Sequence, residues 1–419
     1  MKRITVYADF DFLSTAQEIG VLGYEHVRGK DHFVFEYSRQ WLKQYGGILL
    51  SGDLMNVPSL QHPRDNNEVF GFVKDSFPDR WGLLLLDRRE RLTAQSEGRS
   101  VRMLTDYDYL IGIEDFTRMG GLRYKEEDCD DFINTSNKYL VPPIENLRAL
   151  CDACHEIELA EERNELPEQR WLEQLIDPGT SLGGARPKAN VIDTDGKLYV
   201  AKFPSKKDLE NTELIEHFSH QLAARAGINV AKTRTIRISK DRDLLLSERF
   251  DRTKEGRRIH FASAMSLLGL DDGAGSSTGN GYLDIVDFIL RGCTDVQKNL
   301  RELYRRVAFN VMFGNTDDHF RNHGFLLTPK GWTLSPAYDI NPGTKSHQCL
   351  LIDLYTEQSD INVLLSASEN YMLERQEAAE IIEEVRTAIN DWRKTATELQ
   401  IPLKLLESYS MRWDLSFQQ

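Results

Sequence analysis

Hydrophobic and polar residues are arranged differently in successive parts of the 419-residue chain. Residues 1–60 carry short apolar runs broken by glycine and polar residues, which is typical of strands joined by turns. The pattern becomes helical over 68–92, stays helical to about Ile113, and predicts two more helices over 144–176. Between these regions lies the acidic segment 125–138, which is the best candidate for a linker. The pattern therefore predicts a β-rich N-terminal module that ends within this segment.

The pattern changes again after Asp177-Pro178-Gly179. Two strands around a tight Asp195-Gly196 turn are predicted there, followed by a helix and two further strands. Those last three elements are predicted over 208–227, 229–238 and 243–249. Residues 271–281 (DDGAGSSTGNG) are the most flexible-looking part of the chain, and the pattern from 282 onward is mostly helical.

The clearest helix is predicted at about 374–395, where apolar residues recur at helical spacing. The order of elements predicts an α+β protein in three parts. These are a β-rich N-terminal subdomain over 1–135, a small α/β lobe over 136–255 and a larger, mostly helical lobe over 256–419.

Composition narrows the class of protein. Hydrophobic residues make up 40% of the chain and charged residues 28%, so a packed core is expected. No apolar run approaches the roughly 18 residues that span a bilayer, so we expect no membrane contact. The first residues lack the apolar core of an export signal, and five cysteines are few, so reduced thiols in a cytoplasmic protein are expected. The net charge of −14 makes the chain by itself a poor DNA binder.

The strongest chemical motif is Asn315-Thr316-Asp317-Asp318-His319-Phe320-Arg321-Asn322, which follows an apolar helix ending at Gly314. An aspartate followed five residues later by an asparagine is the layout of a kinase catalytic loop. In such a loop Asp317 orients the substrate hydroxyl and Asn322 holds Mg²⁺. The alternative is a polar loop in which both residues are ordinary turn formers. Asp339, which follows two strands in an apolar setting, suits a second metal ligand or, alternatively, a turn residue before Asn341-Pro342.

Two basic elements precede this motif. The Gly-rich turn from Ser181 to Lys188 lets backbone N–H groups approach an anion, although an ordinary hairpin turn has the same composition. Lys202 lies in the second strand between apolar neighbours, where a buried ammonium needs an anion such as a phosphate or a carboxylate of Glu213 or Glu216. A surface lysine on an edge strand is the alternative. The Val-Ala-Lys sequence is similar to the strand lysine of protein kinases.

Three further motifs are weaker. Glu248-Arg249-Phe250 at a strand end could join two lobes beside an adenine, but on spacing alone a charged turn is the better interpretation. The segment from Cys151 to His155 matches a haem-attachment pattern, yet it lies in a helical pattern where two thiols on a helix face are expected. His319 and His323 have the spacing of a metal pair but lack the glutamate of the helical zinc motif.

With these residues in view, the chain resembles the HipA family, the kinase toxins of type II toxin–antitoxin modules. The resemblance covers nearly the whole length and rests on SLGGARPKA, VAKFP, LSERFDR, NTDDHFRNHGFLL and LSPAYDINP, together with FPDRWGLLLLDRR near the N-terminus. It implies an atypical two-lobed protein-kinase-like fold with an additional N-terminal subdomain. It also implies a serine/threonine kinase that uses ATP and Mg²⁺ and has a helix-turn-helix antitoxin partner, through which alone it reaches DNA.

The resemblance assigns roles to individual residues. Asp317 is the catalytic aspartate, Asn322 and Asp339 bind Mg²⁺, and Ser181 is the autophosphorylated serine. The residues assigned to ATP are Gly183, Gly184, Ala185, Arg186, Lys188, Lys202, Glu216, Glu248, Phe250 and His319. A protein substrate is implied, such as an aminoacyl-tRNA synthetase or another translation component. Two other functions remain open: a metal-dependent phosphohydrolase built on Asp317, Asp318, His319 and Asp339, and a non-catalytic co-repressor subunit.

Overall fold

A computed structural model describes residues 1–64, 68–135, 141–176 and 186–415. The chain divides into two compact units. The first comprises Met1–Asp208 and Leu246–Ala262, and the second comprises Leu209–Leu245 and Ser263–Gln419. Each unit is therefore built from two separate segments of the chain. The sequence pattern, by contrast, predicts a division of the chain into three continuous parts. The three parts 1–135, 136–255 and 256–419 stay a prediction.

The first unit begins with an antiparallel sheet of order β3-β2-β1-β4. Its strands are β1 (Lys2–Ala8), β2 (Gln17–Val27), β3 (Lys30–Tyr37) and β4 (Leu122–Glu126). Alternate residues of β1, namely Ile4, Val6 and Ala8, are fully buried, as the alternating sequence predicts. The β2–β3 turn consists of Arg28 and Gly29, both with positive φ, which matches the twist of paired strands.

The described part of this unit also contains six α-helices and a β-hairpin. The helices are α1 (Arg39–Tyr45), α2 (Gly71–Lys74), α3 (Arg80–Ser96), α4 (Asp106–Ile111), α5 (Leu147–Arg163) and α6 (Gln169–Ile176). Strands β5 (Lys188–Ile192) and β6 (Leu198–Lys202) pair antiparallel around the predicted Asp195-Gly196 turn. The predicted pair of helices over 144–176 and this hairpin are confirmed.

Helices and short strands make up the second unit. Its helices are α7 (Thr212–Arg225), α8 (Ala264–Leu268), α9 (Tyr282–Gly292), α10 (Val296–Phe313), α11 (Ile361–Ser366), α12 (Arg375–Asn390), α13 (Trp392–Glu398) and α14 (Leu403–Leu415). Its strands include β7 (Thr233–Ser239) and the hairpin of β10 (Gly324–Thr328) and β11 (Gly331–Leu334). Unit boundaries fall inside β8 (Arg242–Glu248) and β9 (Phe261–Ser263).

Several boundaries differ from the sequence prediction. Residues 39–45, predicted as strand, form helix α1 because the Ser38 hydroxyl accepts the Trp41 N–H as a helix cap. The proposed linker 125–138 begins inside β4, whose pairing with β1 includes Lys125 and Glu126. The predicted helix at 374–395 is interrupted at Asp391, between α12 and α13.

The glycine-rich segment 271–281 forms a defined turn rather than the flexible stretch that its composition predicts. The Ser276 N–H donates to the Cys349 carbonyl at 2.8 Å, and the Tyr282 N–H donates to the Leu351 carbonyl at 2.9 Å. A Cβ at Gly275 would lie 2.6 Å from the Cys349 oxygen. Glycine is used here because two backbones approach closely.

Among the described residues, no helix combines the length and the apolar character that crossing a bilayer requires.

The pH dependence of stability of the first unit is predicted from His260. This side chain is 3% exposed and stacks on Phe10, with ring centroids 4.8 Å apart. Burial lowers its pKa to about 3. As the pH falls below about 6.5 the unfolded chain binds a proton that the folded chain does not, so stability decreases with decreasing pH.

We expect this histidine to account for a loss of about 2 kcal/mol in the free energy of unfolding between pH 7.5 and pH 5. Urea unfolding at both pH values measures it. His260→Phe should remove that part of the pH dependence, whereas His32→Phe, at an exposed site of the same unit, should leave it. If the free energy of unfolding of His260→Phe fell between pH 7.5 and pH 5 by as much as that of the wild type, the assignment to His260 would be wrong.

Candidate active site

The predicted catalytic loop leaves the C-terminal end of the buried helix α10. Gly314 caps the helix with φ of 91°, and its N–H donates to the Asn310 carbonyl at 2.9 Å. A left-handed residue at this position is readily supplied by glycine. The loop then forms one 3₁₀ turn over Phe320–Asn322 and enters β10. A buried helix and a strand therefore fix both ends of the loop.

The two adjacent aspartates of the loop have opposite environments. Asp318 is 4% exposed, and its Oδ2 accepts hydrogen bonds from three side chains. The donors are Tyr282 Oη at 2.8 Å, Asn310 Nδ2 at 2.6 Å and His323 Nε2 at 2.7 Å. Asp317 is exposed. The carboxylate of Asp318 therefore stabilises the loop through its buried hydrogen bonds, and the carboxylate of Asp317 is accessible to solvent.

The pKa shifts around Asp318 agree with its role as a buried hydrogen-bond acceptor. Burial alone would raise the pKa of Asp318, but the His323 charge and the hydrogen bonds from His323 and Tyr282 outweigh it, so the pKa lies below its ordinary value. Burial and the neighbouring Asp318 carboxylate raise the pKa of Tyr282, which keeps its phenol protonated as a donor. Burial, with added repulsion from Asp318 and Asp317, raises the pKa of Cys349 to about 12. This thiol is therefore a poor nucleophile.

Asn322 braces the loop from within. Its side-chain Nδ2 donates to the Asp317 carbonyl at 3.1 Å, and its backbone N–H donates to the His319 carbonyl at 2.8 Å. The His319 N–H also donates to the Asp317 carbonyl, at 3.0 Å. Because the amide nitrogen is used for the loop, the amide oxygen of Asn322 is the atom left to act as a metal ligand.

Asp339 has a strained backbone. Its φ is 57°, in the left-handed region that non-glycine residues seldom adopt. The Asn341 amide donates to its Oδ1 at 3.3 Å. The preceding Tyr338 donates its hydroxyl to the Arg321 carbonyl at 2.5 Å, which ties this segment to the catalytic loop. Asn322, Tyr338 and Ile340 line one cavity, so the two predicted metal ligands lie in neighbouring segments. Strain of this kind is concentrated at functional sites.

Two basic residues of the predicted ATP site, Arg186 and Lys188, have carboxylate partners. Arg186 pairs with Asp208 through two hydrogen bonds, at 2.7 and 2.6 Å. Lys188 is 5% exposed and lies 2.9 Å from Oδ2 of Asp79, whose Oδ1 caps α3. Lys202, predicted to point inward, is half-buried and stands directly opposite Lys188 in the β5–β6 ladder. The more deeply buried lysine of the pair is therefore Lys188.

The segment after β8 is held by a buried ion network that the sequence does not indicate. Arg249 donates to both oxygens of Asp251, at 2.8 and 2.6 Å, and to the Thr117 carbonyl at 2.5 Å. The Gly120 N–H donates to Asp251 at 2.8 Å. Burial would raise the pKa of Asp251, but the charges of Arg249 and Arg252 hold it far below its usual value. Arg249, the middle residue of the predicted adenine-binding segment 248–250, is therefore held by contacts with residues 117–119.

The remaining predicted site residues are placed as follows. Glu216 is 5% exposed on α7. Glu248 and Phe250 are half-buried, and the Phe250 ring lies 6.0 Å from that of Phe261. His319 is half-buried in the catalytic loop. Ser181, Gly183, Gly184 and Ala185 lie outside the described residues. The roles of all these residues stay predictions.

The structure explains the haem-like motif Cys151–His155 and the metal-like pair His319 and His323 without a bound group. Cys151 and Cys154 are buried on α5, as expected for thiols on a helix face, and His155 bonds the Pro204 carbonyl at 3.1 Å. His323 is engaged by Asp318 rather than paired with His319. Within the part of the chain that is described, no group of three or more His, Cys, Asp or Glu residues is arranged to hold a metal ion.

Sequence reasoning missed the residues beneath the loop. Asn310 and Tyr282 are buried polar side chains, and Asn310 also accepts a hydrogen bond from Asn315 Nδ2 at 3.0 Å. The available signal for this network was Asn310, the one polar residue in the apolar last two turns of α10, Val307–Phe313.

Comparisons with known proteins agree with the motifs. Residues 180–392 match a family model described as the HipA-like C-terminal domain. A serine/threonine-protein kinase toxin HipA from Shewanella oneidensis is 27% identical over 199 residues, covering 41% of this chain and 45% of that protein. A protein from Sinorhizobium fredii with a provisional kinase name is 28% identical, covering 38% of this chain and 41% of its own length. The chain spans about half the length of the curated relatives that it matches, or less.

A solved structure extends the likeness to the whole chain. It is the complex of HipA, HipB and operator DNA from Shewanella oneidensis, which matches with a TM-score of 0.70 at 17% identity. The match covers 99% of this chain and 96% of the other. The predicted α+β fold class is thereby confirmed.

The contrast between the two aspartates predicts different effects on stability. Asp318→Ala leaves three buried donors without their acceptor and should lower the free energy of unfolding by about 3–5 kcal/mol. Asp317→Ala removes an exposed carboxylate and should change it by less than about 0.5 kcal/mol. Urea unfolding of both variants at neutral pH measures the difference. Similar losses in the two variants would show that Asp318 does not hold the loop.

Proposed function

Because the chain belongs to the HipA-like family, we propose that it is an ATP- and Mg²⁺-dependent serine/threonine protein kinase and the toxin of a bacterial toxin–antitoxin pair. The observation that carries this proposal is the catalytic loop. It presents an exposed Asp317 whose backbone is braced by Asn322, while the buried Asp318 fixes the loop from below. The same arrangement serves phosphoryl transfer, in which positioning and electrostatics supply most of the catalysis.

In this proposal Asp317 orients the substrate hydroxyl and accepts its proton as the phosphoryl group is transferred in line. The donor set of Asn322 and Asp339, an amide oxygen and a carboxylate, fits Mg²⁺, which prefers oxygen ligands. When bound, Mg²⁺ would neutralise phosphate charge. Lys202, with Glu216 as its helix partner, would position the phosphates.

Other residues of the proposed site contact ATP. Glu248 and Phe250 would contact the adenine, and His319, in the catalytic loop, would also contact ATP. Gly183, Gly184 and Ala185 would cover the phosphates, with Arg186 and Lys188 at the end of that turn. A phosphate on Ser181 would compete with ATP for these donors, so autophosphorylation there would inactivate the kinase.

We further propose a helix-turn-helix antitoxin similar to HipB as the partner. The related Shewanella oneidensis system is a complex of HipA, HipB and operator DNA. A net charge of −14 fits a subunit that reaches DNA only through a basic partner. The proposed setting is the cytoplasm, and the proposed substrate is a protein of the translation apparatus, such as an aminoacyl-tRNA synthetase.

Intact-mass spectrometry after incubation with ATP and Mg²⁺ tests the kinase. The wild type should gain one phosphate that maps to Ser181, and Asp317→Asn should gain none while still binding ATP. Asp391→Asn is the matched control, because Asp391 is exposed and its side chain makes no capping bond. Protein purified with phosphate already on Ser181 is treated with phosphatase first. Binding of ATP without any transfer by the wild type would favour the co-repressor instead.

Lys202→Ala separates the kinase from a phosphohydrolase. The proposed kinase needs Lys202 to place ATP, so phosphate transfer should fall by at least about 100-fold. A hydrolase built on Asp317, Asp318, His319 and Asp339 has no need of this lysine and would keep its activity. Release of inorganic phosphate from ATP and from a phosphomonoester, measured beside transfer, decides between them. Lys197→Ala, on an exposed turn of the same hairpin, is the control.

A further inference from the structure

The last carbonyl groups of α10 are bound by two distant parts of the chain. An α-helix leaves its final carbonyls without partners inside the helix. The Phe313 carbonyl accepts a hydrogen bond from the indole Nε1 of Trp413 on α14 at 2.8 Å. The next carbonyl, that of Gly314, accepts the Gly343 N–H at 2.7 Å. Asp317 follows only three residues later, so these two bonds set where the loop leaves the helix.

Trp413 packs against α7, which carries Glu216, and against α10, which leads into the catalytic loop. It is fully buried, and its ring stacks on Phe313 with centroids 5.0 Å apart and planes 5° apart. Its ring also lies 5.7 Å from that of Phe218 on α7, two residues beyond Glu216. One side chain near the C-terminus therefore contacts the end of α10 and the middle of α7.

The neighbouring Arg412 lies equally close to the loop. A Cβ placed on Gly314 would lie 2.5 Å from Nη1 of Arg412. Gly314 thus provides both the positive φ and the space that α14 needs at this point. The close approach means that α14 is packed directly on the residue where the helix ends and the loop begins.

We propose that Trp413 is a positioning residue for phosphoryl transfer. Its indole N–H holds the Phe313 carbonyl and thereby the loop that presents Asp317. This inference rests on the proposed kinase function. It adds a helix, α14, that lies beyond the residues matched by the family model, which end at 392.

The conservative variant Trp413→Phe isolates the hydrogen bond. A phenyl ring can keep the stacking on Phe313 and Phe218 but has no N–H to donate. Displacement of a catalytic group by about 1 Å can cost about 100-fold in rate, so a partial displacement is expected to lower kcat by about tenfold. Binding of ATP should stay within about twofold, because the ring contact with α7 remains.

Trp392→Phe is the matched control. Trp392 is also buried and packs against Trp413, with ring centroids 5.2 Å apart. Its indole Nε1 donates at 3.0 Å to Oδ1 of Asp414, on α14 rather than at the end of α10. Each variant therefore loses one indole hydrogen bond from this pair of packed tryptophans. Only the bond of Trp413 reaches the end of α10, where the loop begins.

Two measurements on the full chain test the proposal. The first is the rate of phosphate transfer at saturating ATP, with the affinity for ATP measured separately. The second is hydrogen exchange of the backbone amides of residues 314–323. Trp413→Phe should lower the rate and speed this exchange, and Trp392→Phe should change neither. Arg412→Ala, which removes the side chain packed on Gly314, should act in the same direction as Trp413→Phe and replaces it if that variant does not fold.

The outcomes separate this inference from the proposed function. Equal rates and equal exchange in Trp413→Phe and Trp392→Phe would overturn the role of Trp413. So would an equal loss in both variants, since that would show a general effect of the cluster. If the wild type transfers no phosphate, the kinase proposal fails, and the exchange measurement still decides whether Trp413 holds the loop.

Discussion

A single buried carboxylate, that of Asp318, determines the shape of the candidate active site. Its Oδ2 accepts hydrogen bonds from the first residue of α9, from the buried face of α10 and from the residue before β10. Three elements are therefore joined at one atom. Burying a negative charge is unfavourable by itself, and here the donors and the neighbouring His323 compensate for it. Because Asp318 points inward, the adjacent Asp317 is left exposed.

The strained segment around Asp339 depends on this arrangement. A left-handed aspartate is costly unless the surrounding contacts hold it, and one of these contacts runs from Tyr338 to the Arg321 carbonyl of the catalytic loop. The Gly314 carbonyl accepts the Gly343 N–H four residues after Asp339. Bonds on both sides of Asp339 therefore connect it to a loop that Asp318 has already fixed. The position of the segment around Asp339 is therefore coupled to that of the catalytic loop.

The sequence predicted the parts of this site that are local. The Asp317–Asn322 spacing, the β5–β6 hairpin and the helix before Gly314 follow from neighbouring residues, and all three are present. Contacts between distant residues could not be predicted. Asp79 and Lys188 are 109 residues apart, and Phe313 and Trp413 are 100 apart. Helix α1 was missed for a different reason, since its apolar residues also fit a strand until Ser38 is recognised as a cap.

The ion pair between Lys188 and Asp79 makes the environment of the β5–β6 hairpin depend on a residue far earlier in the chain. The two lysines that face each other in the β5–β6 ladder repel, and Asp79 supplies a compensating charge to the buried one. Asp79 belongs to the predicted N-terminal subdomain, and Lys188 belongs to the predicted small lobe. A shortened chain beginning at residue 141 would bury Lys188 without that carboxylate. Loss of the first 135 residues would therefore remove the acidic partner of a lysine that is almost fully buried.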